Sequence, residues 1–262
     1  MRILVLGAGG FAGSAFLRIL PQLGHECLPI TRQNYGAMVG TKGNVLINAD
    51  GNSAKYLAER DPVGEIERTV TSVMRSCLDF TVDTYVLLSS ADVYPCQNDP
   101  KLNSERVELA VEKLSAYGLS KYLAECVVRN HCAHWLILRL GGLLGPGLRK
   151  NPVFDLLAGQ PLRVHPDSVF SYVHTEEVAR IVAHLLQERP TNEIVNVCGK
   201  GDVSVREMSA WVGRAPGDAE PSLPRIHYEI NNEKLATFWK IPSSSTTARD
   251  FIASWQESRQ NP

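Results

Sequence analysis

ILVLGAGGFAGSAFLRIL, residues 3–20, joins an apolar run to a glycine cluster and then to a second apolar pattern. Residues 3–7 read as a short buried strand that stops at glycine. From Gly13 to about Leu20 the apolar residues recur at helical spacing, and Pro21 and Gly24 end that pattern. Gly7, Gly10 and Gly13 therefore stand on a strand-turn-helix junction. Glycines there allow a tight turn and let backbone approach a pyrophosphate, and the helix start offers N–H groups to the anion. A glycine triplet alone is weak evidence; at this junction it points to a dinucleotide. Arg2 and the apolar run also resemble a secretory leader. The run is too rich in glycine for one, and no small-residue cleavage site precedes Arg18.

Working outward, HECLPIT (25–31) reads as a second strand and GNVLINAD (43–50) as a third. The gap of about a dozen residues between them is too short for a full helical crossover, so the usual intervening unit is trimmed. GEIERTVTSVMRSCLDF (64–80) is an amphipathic helix and TYVLLSS (84–90) a buried strand. A long helix is expected over 104–131, a strand in HWLILRL (134–140), a helix in EEVARIVAHLL (176–186) and a strand in EIVNVCG (193–199). This alternation predicts an α/β fold with a doubly wound parallel sheet covered on both faces. After Gly201 the rhythm gives way to Pro, Ser and charge, as in a small lobe. The expected division assigns 1–145 with about 168–200 to a dinucleotide-binding domain. About 146–167 with 201–262 form a small C-terminal substrate lobe.

Net charge is −1, with no basic stripe to suggest nucleic acid. No apolar stretch of about 18 residues suggests a membrane span. The six cysteines are scattered without a C-x-x-C pair and read as reduced thiols of a cytoplasmic protein. His131 and His134 have no accompanying ligand set, and no metal site is expected.

A dinucleotide site commonly has an acid at the end of the second strand, for the ribose 2′-hydroxyl. Thr31 and Arg32 stand there instead, and a guanidinium suits a 2′-phosphate. This favours NADP over NAD. Phe11 and Ala12 in the turn, and Ala49 after the third strand, complete the expected cofactor contacts. Farther on, SAYGLSKYLAE (115–125) sets Tyr117 and Lys121 four residues apart, on one face of a helix.

The glycine pattern, LLSSADVYP (87–95) and the Tyr117/Lys121 pair occur in an order that resembles the extended short-chain dehydrogenase/reductases, the NAD-dependent epimerase/dehydratase family. The likeness runs over roughly residues 1–200. LRLGGLLGPG (138–147) is similar to the family's segment beside the nicotinamide, and YVHTEEVA (172–179) to its later strand-to-helix turn. The resemblance implies a Rossmann sheet and a catalytic set of Ser90, Tyr117 and Lys121. Ser90 would hydrogen-bond the substrate oxygen and Tyr117 would move the proton. Lys121 would contact the nicotinamide ribose. A free phenol titrates near about 10, so a neighbouring ammonium is expected to lower Tyr117 toward neutrality. Asp92 matches a position that varies with the reaction in the family. It is either a second acid/base facing the substrate or a turn residue after the strand.

Phe170-Ser171 stands where the family often has Arg-Asp beside a nucleotide diphosphate. Arg149, Lys150 or Arg163 could replace that cation; Asn151 and Arg163 join Asp92 as expected substrate contacts. Asp50 occupies a place where a small apolar residue is usual. The implied activity is that of an NAD(P)-dependent enzyme on a hydroxyl or keto group of a sugar, foremost a nucleotide sugar. The reaction is reduction, epimerisation or dehydration. Two alternatives stay open: a reductase of a non-nucleotide carbonyl, and a non-catalytic NAD(P)-binding sensor or scaffold. A sensor has no need of the full Ser90, Tyr117 and Lys121 set. The expected partners are a small-molecule substrate and, by the resemblance, a second copy packed through helices within 64–80 and 104–131, with no nucleic acid and no membrane.

Overall fold

The computed structural model describes residues 1–52, 55–188, 192–214 and 222–260. Strands β1 (Arg2–Leu6), β2 (Glu26–Ile30), β3 (Lys42–Asn48), β4 (Thr81–Ser90) and β5 (Trp135–Leu140) form one sheet with the strand Glu193–Val197. Their order is β2-β1-β3-β4-β5, with Glu193–Val197 outermost beside β5. Neighbours from β2 through β5 pair in parallel. The direction of winding reverses between β1 and β3, which opens a crevice beyond the carboxyl ends of those strands.

The trimmed crossover is present: a single helical turn, α2 (Tyr35–Met38), links β2 to β3. β2 is therefore an edge strand. Pro29, opposite Val5, is tolerated there because no further strand needs its missing N–H. On one face of the sheet, Leu4, Leu6, Ile30, Leu46, Tyr85, Leu87 and Ile137 pack against Val73, Ala124 and Val128. Each aliphatic side chain buried in this way contributes about 1.5–3 kcal/mol.

Two helices depart from the sequence pattern. The helix expected over 64–80 is broken into α4 (Pro62–Ile66), a widened π turn over Glu67–Thr71, and α5 (Ser72–Asp79). Asp61 starts it by accepting from the Gly64 N–H at 3.0 Å, and Pro62 fits the first turn. Amphipathic spacing reads through a π turn because the apolar face continues on both sides. The helix expected over 104–131 is α6, only Ala116–His131. Its start is fixed by two acceptors: Ser115 Oγ takes the Gly118 N–H at 3.1 Å, and Glu59 takes the Ala116 N–H at 3.1 Å. Before it, Val111–Lys113 makes a single 3₁₀ turn.

The chain packs as two units. The first comprises Met1–Pro95, Glu105–Leu140 and Thr175–Asn196. It also carries α1 (Gly13–Ile19) and α3 (Lys55–Arg60). The second comprises Cys96–Ser104, Gly141–His174 and Val197–Pro262. It holds the helix Pro152–Leu157, the strand pair Gly142–Leu144 and Tyr172–His174, and the helices Val205–Val212 and Ser244–Gln260.

Candidate active site

β4 ends at Ser90, in the middle of the sheet and at its carboxyl edge. Ser90 Oγ accepts the Asp92 N–H at 3.2 Å and donates to Asp92 Oδ2 at 2.8 Å. The other Asp92 oxygen pairs with Lys55 Nζ at 2.6 Å. Asp92 is thus the partner of a capped turn, and both of its oxygens are engaged.

α6 brings the next two residues. A Cβ added at Gly118 would run into the Asp92 carbonyl, so the first turn of α6 lies directly on the turn after β4. Gly118 lets the first turn of α6 come this close, and the buried Tyr117 phenol lies near enough to Ser90 to feel its hydroxyl. One turn later Lys121, 7% exposed, places Nζ 5.5 Å from the Tyr117 ring centroid. A Cβ on Gly51 would stand 2.9 Å from that Nζ, so the ammonium packs against the loop after β3. Ser90, Tyr117 and Lys121 therefore come together as the sequence suggests.

Their electrostatics differ from the expectation. Burial pushes the Tyr117 phenol up, Asp92 pushes it further, the nearby Ser90 hydroxyl acts the other way, and Glu65 adds to the rise. The expected lowering by Lys121 does not occur. The carboxylates that answer the ammonium also repel a phenolate, and the site is buried. At neutral pH Tyr117 is a phenol, a proton donor. Burial also lowers Lys121, against the pull of Glu65, Asp50 and Asp92.

The glycine turn lies beside this set in the same unit. Gly7 has φ +76, and an added Cβ there would press on Ala49 and the Asp50 N–H. A Cβ at Gly13 would run into the Gly7 carbonyl, so turn and helix touch only because both are glycine. Gly10 N–H closes the turn onto Gly7 O at 2.8 Å. Phe11 and Ala12 continue it, and no side chain caps α1. The Thr31 N–H bonds Asn34 Oδ1 at 2.6 Å and turns the chain, which leaves Arg32 exposed. Arg32 lines a groove of about 900 Å³ with Asp50, Gly51, Asn52, Arg60 and Arg68. Three arginines line this groove, together with Asp50 and Asp61, and Arg68 pairs with Asp61 at 3.1 Å; the glycine turn is not part of its lining.

Two expected substrate contacts, Asn151 and Arg163, belong to the second unit. Asn151 caps the helix Pro152–Leu157, accepting the Phe154 N–H at 2.9 Å, and donates to Leu143 O at 3.2 Å. Its φ of 131 lies where side chains are strained. Arg163 faces Asp155. Ser171 donates to Gly201 O at 2.9 Å.

Sequence reasoning missed Glu65, Asn52 and Lys55. Glu65 and Thr69 are one turn apart on the face that the helix buries, and a carboxylate at such a position was the available signal. Asp50, without a physical account in the sequence, faces Lys121 and lines the groove.

Comparison with known proteins agrees with this geometry. The model of the NAD dependent epimerase/dehydratase family matches residues 45–198. A dTDP-4-dehydro-6-deoxy-D-allose reductase of Streptomyces sp is 26% identical over 83% of this chain and 82% of its own length. Among solved structures, a UDP-glucuronic acid 4-epimerase from Bacillus cereus superposes with a TM-score of 0.80 at 15% identity, covering 98% of this chain and 100% of that one. A dTDP-4-dehydrorhamnose reductase from Clostridium acetobutylicum gives 0.75 at 18% identity, covering 98% and 100%. At these identities the structural likenesses speak to the fold. They are what this chain is similar to.

Proposed function

We infer the reaction from one premise: this chain belongs to the NAD dependent epimerase/dehydratase family and is an NAD(P)-dependent enzyme. The reaction is reduction of a keto group on a sugar carried by a nucleotide diphosphate. The observation that carries this reading is the buried, proton-bearing Tyr117 gathered with Ser90 and Lys121 at the mouth of the sheet, Lys121 Nζ lying 5.5 Å from its ring centroid. A ketone accepting a hydride develops negative charge on oxygen and needs a proton there. Ser90 orients that oxygen and Tyr117 holds the proton for it.

The first unit would hold the cofactor, with Gly7, Gly10, Phe11, Ala12 and Gly13 under its phosphates and Ala49 at the end of β3. Thr31 and Arg32 would stand at the adenosine ribose, and Arg32 favours NADP over NAD. A bound nicotinamide coenzyme supplies the hydride. Tyr117 and Lys121 would border its ribose, and the Lys121 ammonium would favour negative charge developing nearby. Asn151 and Arg163 are the further substrate contacts proposed. Reduction is preferred to dehydration and to epimerisation at a carbon beside the carbonyl because Asp92 has both oxygens engaged, by Ser90 and by Lys55, and so orients Ser90 instead of working at carbon. The substrate class follows the names of the reductases to which the chain is similar.

The setting proposed is the cytoplasm, which suits six free cysteines. Among the described residues no helix is long and apolar enough to cross a membrane. Assembly as a homodimer through α5 and α6 is the corresponding proposal for partners, checked by sedimentation. The activity test supplies NADPH and a panel of nucleotide-linked and free keto sugars and follows loss of the reduced nicotinamide. Turnover is expected on a nucleotide-linked member, with no exchange of its other C–H protons into deuterated water. Tight NADPH binding with no turnover across the panel overturns the reading, and C–H exchange returns Asp92 to the role of acid/base.

A further inference from the structure

We propose that Glu65 is a positioning residue for this site: its buried carboxylate ties the loop after β3, the π turn and α6 together around the Lys121 ammonium. This rests on the reading above, that Tyr117 and Lys121 serve proton delivery. Glu65 has no exposed surface. Its Oε1 accepts from Thr69 Oγ1 at 2.7 Å and Ser120 Oγ at 3.2 Å, and its Oε2 from Asn52 Nδ2 at 2.8 Å. Each donor belongs to a different segment. Asn52 follows Gly51, the residue against which Lys121 Nζ packs. Thr69 lies in the π turn, and such widened turns recur at functional sites. Ser120 stands on α6 between Tyr117 and Lys121 and also donates to the Tyr117 carbonyl at 2.8 Å. One carboxylate therefore fixes the backbone on both sides of the ammonium.

Its charge matters as well. The carboxylates facing Lys121 are Glu65, Asp50 and Asp92, and Glu65 opposes the effect of burial most. Asp92 is shared with Lys55, and the nearby Glu59 is occupied by the N-terminus of α6. Glu65 also raises the Tyr117 phenol. Neutralising it moves both Lys121 and Tyr117 to lower values, so an alkaline limb set by either group shifts toward acid.

The test compares Glu65→Gln with wild type and with Tyr117→Phe, each assayed with NADPH and the keto sugar that the panel identifies. Glu65→Gln is expected to lower kcat about 10- to 100-fold, in line with loss of a hydrogen bond to a charged group. KM and NADPH affinity should change little, and the alkaline limb of the pH profile should move down by a resolvable fraction of a pH unit or more. Wild-type kcat and an unmoved limb overturn the proposal. So does a smaller yield of folded protein that turns over normally per folded molecule, which marks a merely structural role. If Glu65→Gln does not fold, Glu65→Asp decides: it keeps the charge, so the limb should stay in place while kcat falls; unchanged kcat overturns the proposal. Tyr117→Phe separates the two readings. If it is inactive while Glu65→Gln behaves as wild type, only the role of Glu65 fails; if Tyr117→Phe is itself active, the underlying assignment fails.

Discussion

Ser89 and Ser90 are neighbours at the end of β4, and each leads into a buried charged cluster. Ser89 donates to Glu125 Oε1 at 2.6 Å, and Glu125 grips Arg139 through two bonds, at 3.1 and 2.7 Å. Arg139 stacks over the Tyr94 ring at 4.8 Å and donates to its hydroxyl at 2.9 Å; that hydroxyl donates to Asn196 at 2.9 Å. In this cluster the cation has one carboxylate in ideal fork geometry. Ser90 leads to the other kind. There Lys121 is faced by Glu65, Asp50 and Asp92, and among the described residues none of them is within ion-pair distance of it. The first cluster closes its charges and braces β4, β5 and α6. The second keeps a phenol and an ammonium available to a reacting molecule. What separates structure from chemistry here is whether the charges are satisfied internally, since both clusters are buried.

Breaking the closed cluster is expected to cost the most stability. Glu125→Ala strands a guanidinium that is 3% exposed, and losing one partner of a buried pair costs about 3–5 kcal/mol. Urea unfolding should show that loss. A change below about 1 kcal/mol, the value of an exposed pair, would erase the distinction drawn between the clusters.

Arg32 carries the comparison to an exposed guanidinium in the groove. Arg32→Ala should leave folding intact and weaken NADPH by about 10- to 150-fold, the value of roughly 1.5–3 kcal/mol for a charge-assisted contact. NADH affinity should hardly change. Titration with both coenzymes checks this, and equal weakening of the two removes Arg32 from the 2′-phosphate.

The smallest effect concerns pH. Burial raises the tyrosine of each cluster: Tyr94, beside Arg139, is pushed up to about 12, and Tyr117, beside carboxylates, is raised in the same direction, as are the buried Tyr85 and Tyr172 elsewhere in the molecule. A group raised in the folded state keeps its proton there after the unfolded chain has released it. Above about pH 10 the unfolded state binds fewer protons, so the slope of stability with pH is negative. Each such tyrosine contributes its stability in full below about pH 10. It should lose about 1.4 kcal/mol per pH unit from there up to its folded value. Denaturation midpoints at intervals from pH 9 to 11.5 measure this, and stability that is flat or rising over that range contradicts the burial of these phenols.

The sequence made the sheet legible because its strands are uninterrupted apolar runs that end at glycine or serine, as β1 and β4 do. Gly7, Gly10 and Gly13 were legible from their spacing at a strand-turn-helix junction and Tyr117 with Lys121 from their helical spacing, whereas Ser90 joined them through the family resemblance. The start of α6 was not, since residues 104–115 have helical composition and only the caps from Ser115 and Glu59 set the boundary. The π turn leaves no trace in amphipathic spacing, and Glu65, on the buried face just before it, went unread although its position was a signal. Arg139 did leave a trace: an arginine inside WLILRL must find a buried anion, although its partner Glu125 could not be named from the strand. The direction of the Tyr117 shift was misread because spacing shows Lys121 but not the burial of the phenol, nor the carboxylates brought to it from the turn after β4 and from α4.

The account stands most directly on Tyr117 as the proton donor. The deciding measurement is the single-turnover rate of hydride transfer with NADPH and the keto sugar, in wild type and Tyr117→Phe, at matched coenzyme occupancy. The account predicts a fall of about 10²- to 10⁴-fold with NADPH affinity and unfolding midpoint essentially retained. A Tyr117→Phe enzyme that transfers hydride at the wild-type rate would contradict it.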